Sequence, residues 1–133
     1  MSASRQKQSR GFTLIELMIV MSILLILIAI AIPAYNRSIT RAKESVLRQD
    51  LFQLRSLISQ YTLDKQKAPQ ALDDLVTAGY LKKLPVDPIT GAADWEAVQE
   101  DVTLSPEQQD PGIDDVHSSS TQISSQGDAY NTW

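Results

Sequence analysis

The 133-residue chain has no cysteine, so no disulfide can hold it together and no thiol can act as a nucleophile or metal ligand. A single histidine, His117, leaves little material for acid–base or metal chemistry. Lys and Arg are absent after Lys83. Residues 1–84 therefore hold all 12 Lys and Arg against 6 acids, a balance of +6, while residues 85–133 hold 10 acids, a balance of −10. A chain split this way has a basic stem and an acidic tail, a pattern that serves either solubility or complementarity between copies. The length suffices for one small domain plus an anchor.

What the sequence does have is a long apolar run. From Phe12 to Ala34 it carries 23 residues broken by one charge, Glu16. As a helix this run measures roughly 35 Å, enough to cross a bilayer core of ~30 Å. The preceding MSASRQKQSRG contains Arg5, Lys7 and Arg10 and no acid, as a cytoplasmic flank should. Arg37, Arg41, Lys43 and Arg48 on the far side weaken that orientation argument. A secretory signal would be shorter, although AIA at 29–31 or IPA at 32–34 offers a small-residue cleavage site. An uncleaved single-span anchor is a further alternative. An ionisable residue inside a membrane segment is costly unless paired, so Glu16 needs a cation.

The stretch RGFTLIELMIV, residues 10–20, resembles the processing signal of type IV pilins and type II secretion pseudopilins. The resemblance implies cleavage between Gly11 and Phe12 by a membrane peptidase that also methylates the new amine of Phe12. That ammonium would supply the partner of Glu16, either within the chain, one helical turn away, or on the next subunit of a filament. The family pattern favours the second. Pro33 cannot donate to the Ala29 carbonyl and crowds that turn, which predicts a kink or a locally melted turn. In the family, a proline here accompanies helix bending during assembly.

Residues 35–65 contain no Gly or Pro. Leu47, Leu51, Leu54, Ile58 and Tyr61 recur at helical spacing, with Phe52 and Leu57 widening the face and Ile39, Ala42 and Val46 forming an offset stripe. The spacing predicts one helix from Phe12 to about Asp64. Arg41, Arg48 and Arg55 repeat every seven residues away from the leucines, and Glu44–Arg48 forms an i,i+4 pair. A solvated face explains this stripe. An acidic neighbouring head or anionic lipid is the alternative, and nucleic acid is not expected because no aromatic platform accompanies it.

Beyond the stem, Pro69 suits a first helical turn, with Leu72, Leu75 and Val76 on one face and Gly79 as the stop. Pro85 and Pro88 then break regular structure. The stretch from GYL to PVDP resembles the major-pseudopilin branch of type II secretion. Ala93–Leu104 predicts one or two strands and PGIDDVHSSS another. Trp95 and Trp133 read as core or lid residues. Resemblance to that branch also implies a calcium site in the final loop, with Asp128 and Asp115 as ligands and hydroxyl or carbonyl oxygens completing the shell. Calcium takes six to eight oxygens. Here Ser120, Thr121 and Gln122 replace the usual Asp-Gly pattern, and Asp114 lies just upstream. His117 beside Ser118, Ser119 and Ser120 makes no catalytic arrangement, because strand neighbours point to opposite faces. No enzymatic activity is expected.

The chain therefore reads as an α+β protein of type IV pilin-like architecture, a long N-terminal helix kinked near Pro33 and packed on a small antiparallel sheet. Its expected parts are a leader at 1–11, a transmembrane assembly helix at 12–34, an amphipathic stem at 35–66 and a periplasmic head at 67–133. The resemblance implies a structural subunit of a type II secretion pseudopilus in the bacterial inner membrane. Its expected partners are further copies of itself, minor pseudopilins, an inner-membrane assembly platform, the prepilin peptidase and methyltransferase, and the lipid bilayer. A type IV pilin of a surface filament is the alternative, as is an uncleaved single-span protein with a periplasmic binding head.

Overall fold

The computed structural model describes residues 10–100, 106 and 111–133. The expected leader charges Arg5 and Lys7, and the end of the expected strand region at Leu104, lie outside the described residues. The chain divides into two units, Met1–Ser38 and Ile39–Trp133.

The main element is helix α1, Leu14–Lys65. It starts after Phe12 because Thr13 serves as its N-cap: the Thr13 hydroxyl accepts the Glu16 N–H at 3.2 Å. Helical structure continues through Pro33 with no melted turn. Every described residue before Ile39 is exposed. Ser22, the one serine of the apolar run, donates its hydroxyl to the Met18 carbonyl at 2.7 Å, so this polar group is satisfied within its own helix.

In the second unit the predicted face of α1 is the buried one. Leu47, Leu51, Leu54, Ile58 and Tyr61 join Leu72, Leu75, Trp95, Ile113, Val116 and Tyr130 in a single core. Phe52 departs from expectation: it is 73% exposed and does not widen that face, whereas Leu57 packs against the core. Ile39 and Val46 of the offset stripe are also exposed.

Helix α2 is Asp73–Thr77, shorter than expected and starting after Pro69. The Asp74 carboxylate accepts the N–H groups of Gln70 and Ala71 at 2.8 and 3.1 Å, which fixes the approach to the helix. Gly79 ends it at φ 87°, a left-handed conformation that favours glycine. Strands β1, Glu96–Gln99, and β2, Ile113–His117, pair antiparallel, with a register shift between Val98 and Gln99. Gly112 precedes β2 where the chain crosses the residues before α2. A Cβ there would overlap Ala68 and lie 2.8 Å from the Pro69 carbonyl oxygen, next to the bond that Ile113 N–H donates to that oxygen at 2.7 Å. Trp95 is a core residue, and its indole N–H donates to the Pro85 carbonyl at 2.7 Å.

The PVDP segment is organised by Asp87, which is fully buried. Its carboxylate accepts the Ile89 N–H at 2.7 Å and the Ser118 hydroxyl at 2.5 Å, tying the loop to the residue after β2. A buried carboxylate is tolerable only when bonded in this way. Asp94 does similar work at the surface, accepting from Ser119 at 2.9 Å.

The largest departure from the sequence reading is Glu44, predicted to be an exposed partner of Arg48. It is only 3% exposed. Its carboxylate accepts the Ser125 N–H and the Ser125 hydroxyl, each at 2.6 Å, and the Tyr130 hydroxyl at 2.9 Å. Burial pushes the Glu44 carboxyl up, but the bonds from Ser125 and Tyr130, with the Arg48 charge, outweigh it and hold the group below its ordinary value. A carboxylate with a depressed pKa stabilises the fold above its unfolded value and loses that contribution as pH falls through the folded value. Asp50 opposes this trend, since burial and the Asp87 charge raise its pKa.

Two outcomes follow for the head. Leu54→Ala removes a side chain with no solvent exposure and should destabilise by about 2–5 kcal/mol in chemical denaturation. Thermal melting should weaken as pH drops below 4.5, the ordinary Glu44 value, and Glu44→Gln should flatten that part of the pH profile while lowering stability at neutral pH.

Candidate processing and assembly site

Residues 10–13 lie outside α1, whose first turn is capped by the Thr13 hydroxyl. A Cβ on Gly11 would meet nothing within 4 Å, and Phe12 is 86% exposed, so the Gly11–Phe12 bond is open to an enzyme. Thr13 and Glu16 stand in the T-x-x-E spacing of a capping box, which places Glu16 in the first turn of α1. Arg10, Gly11, Phe12 and Glu16 line one shallow cleft. Among the described residues, no cation lies within ion-pairing distance of the Glu16 carboxylate. These residues share one cleft because all lie within two helical turns of one another in sequence. Pro33 lies farther along the same helix.

Each of the two expected calcium ligands is set beside arginine. Asp115 sits on β2, where its carboxylate takes the Arg55 guanidinium at 2.6 Å and the Val116 N–H at 2.7 Å. Burial raises the Asp115 carboxyl, and the Val116 and Arg55 bonds with the Arg55 and His117 charges more than reverse it. Asp128 lines a cleft with Arg48, Arg55, Phe52 and Trp133. No group of three or more His, Asp or Glu side chains among the described residues is placed to hold a metal ion.

Arg55 and Arg48 are therefore not a merely solvated stripe. Arg55 also donates to the Val116 and Trp133 carbonyls at 3.0 and 2.7 Å, and Arg48 stacks 4.3 Å from the Trp133 ring centroid. Trp133 is half-buried, with its ring edge-on to Tyr130. His117 directs Nδ1 to the Trp133 carbonyl at 2.5 Å, and the neighbouring Ser118 is bonded to Asp87, so the two form no nucleophile–base pair. Sequence reasoning missed Glu44 and Arg55 as organising residues. One signal was present: stepping back three from Leu47 continues the buried 3,4 spacing onto Glu44.

Comparison with known proteins agrees with this geometry. The family model for the prokaryotic N-terminal methylation motif matches residues 6–32. The type II secretion system core protein G of Pseudomonas aeruginosa is 37% identical over 100 residues, covering 63% of this chain and 70% of that protein. The core protein G of Klebsiella michiganensis is 31% identical over 133 residues, covering 84% of this chain and 92% of that protein. The type IV major fimbrial protein FimA of Dichelobacter nodosus is 48% identical over 61 residues, but these cover only 46% of this chain and 38% of the fimbrial protein. No solved structure matches the chain. An exposed apolar helix capped at Thr13, the methylation motif across its start and relatives matched over most of their length together place this chain in the family of type II secretion system core protein G, the pseudopilins.

Proposed function

We propose that this chain is the shaft subunit of a type II secretion pseudopilus. It is cut between Gly11 and Phe12 by a prepilin peptidase, methylated at Phe12 and polymerised through its apolar helix to drive export across the outer membrane. Before assembly, α1 anchors it in the inner membrane by a single pass, with the head in the periplasm. Minor pseudopilins and an inner-membrane platform complete the partner set, and the chain contributes packing surface, not catalysis.

The observation that carries this reading is the pairing of an exposed apolar run with a carboxylate in its first turn that has no ion-pair partner among the described residues. Water cannot cover such a run cheaply, while lipid or neighbouring copies can. In either setting Glu16 needs a compensating cation. Cleavage before Phe12 creates one at the helix start of every copy, so a neighbour displaced along the fibre can bring its ammonium to Glu16. Nothing comparable would require a carboxylate here in a passive anchor. The likeness to FimA supports a second reading, a surface pilus for motility or adhesion. The GYL to PVDP segment and the broader coverage of the core G proteins favour the secretion pseudopilus.

Intact mass of the membrane-extracted protein should show loss of residues 1–11 and gain of one methyl group, and a full-length chain would instead identify a passive anchor. Glu16→Val should still be cleaved but should give no filaments by electron microscopy. Normal filaments from that variant would sink the intersubunit pair.

A further inference from the structure

The final loop is held by an arrangement that reverses the polarity of a cation site. A bound divalent cation would draw loop oxygens inward. Here three main-chain oxygens of the loop are already turned to loop N–H donors. Gln122 O accepts from Tyr130 N–H at 3.0 Å, Ser124 O from Gly127 N–H at 3.2 Å, and Asp128 O from Ser124 N–H at 2.7 Å. Ile123 and Ala129 pair as an isolated bridge, and Gly127 takes φ 100° at the turn. The hydroxyls are engaged as well: Ser118 on Asp87, Ser120 accepting from Gln122 N–H at 3.3 Å, and Ser124 accepting from Gln126 N–H at 3.1 Å.

Of the two expected carboxylate ligands, Asp115 is neutralised by Arg55 and Asp128 shares its cleft with two arginines. A cation placed beside Asp128 would face Arg48 and Arg55. What the loop presents to α1 is a set of donors, and what α1 presents is an anion. Both Glu44 carboxylate oxygens are used by Ser125, and one also takes the Tyr130 hydroxyl. These are charge-assisted bonds to a nearly buried group, roughly twice the strength of neutral ones.

We infer that in this chain the Glu44 carboxylate does the work of a loop-organising calcium ion, latching residues 122–133 to α1 so that the head folds without any divalent cation. This inference does not depend on how the subunit assembles. The latch joins a stem residue to a loop 81 positions later in sequence, so it closes the head as a metal bridging the two would. It also explains why Ser-rich chemistry fills this segment: Ser125 supplies two donors from one residue, which an aspartate could not.

The test uses the processed chain in detergent, with tryptophan fluorescence reporting on Trp95 and Trp133 and limited proteolysis reporting on the loop. Wild-type protein should melt at the same temperature, with the same protease resistance, in excess EDTA and in millimolar calcium. Glu44→Gln should lower the melting temperature by roughly 10 °C in both conditions and open the 122–133 segment to cleavage. Should Glu44→Gln fail to fold, Tyr130→Phe and Ser125→Ala, which each remove only part of the latch, should give smaller shifts that calcium does not repair. A wild-type melting temperature that falls in EDTA and recovers on adding calcium would overturn the inference. So would latch variants as stable and as protease-resistant as wild type.

Discussion

Packing onto one face of α1, between Glu44 and Tyr61, is what the rest of the head depends on. A two-stranded sheet of four and five residues has no independent stability in water, and α2 is a single short turn of helix. Neither can form a core without the leucines of α1 beneath it. Leu47, Leu51, Leu54 and Ile58 are each almost fully buried and supply the apolar surface that joins Ile113 and Val116 of β2 and Tyr130 of the final turn in one core.

Carboxylates then decide how the loops lie on that surface. Glu44 receives the final loop, Asp87 joins the PVDP turn to the end of β2, and Asp115 locks β2 to Arg55 of the helix. Each is bonded by donors remote in sequence, and each would be a liability if left unpaired. In a chain without cysteine, these polar ties provide long-range closure that small exported domains often obtain from disulfides. They also consume part of the acidic tail that composition alone presents as a free surface charge.

The opposite condition holds in the first unit. Residues 12–34 are all exposed, so no core of this chain covers them. An apolar surface of this size is covered cheaply only by lipid or other protein, and a carboxylate within it is costly unless paired. Thr13 reconciles the two demands on this segment. It caps α1, and it leaves Gly11 and Phe12 outside the helix and exposed.

The α1 helix, its buried leucine face, the two strand regions and the Gly11–Phe12–Glu16 cluster were all legible in the sequence. Each rests on local periodicity or on residues a few positions apart, where spacing and geometry are the same thing. Glu44, Arg55 and Asp87 were not read as buried or clamping groups, because nothing nearby marks them apart from the spacing that leads back from Leu47 to Glu44. Their partners lie 81, 60 and 31 positions away. The pairing of Asp115 with Arg55 was hidden for the same reason, since the two lie 60 positions apart and meet only in the folded head. One-dimensional pattern thus determined which segments are helical, which face of α1 is apolar and where the methylation motif lies. Only the tertiary structure decided which charges are buried, because a carboxylate's burial is set by the donors that folding brings to it and not by its neighbours along the chain.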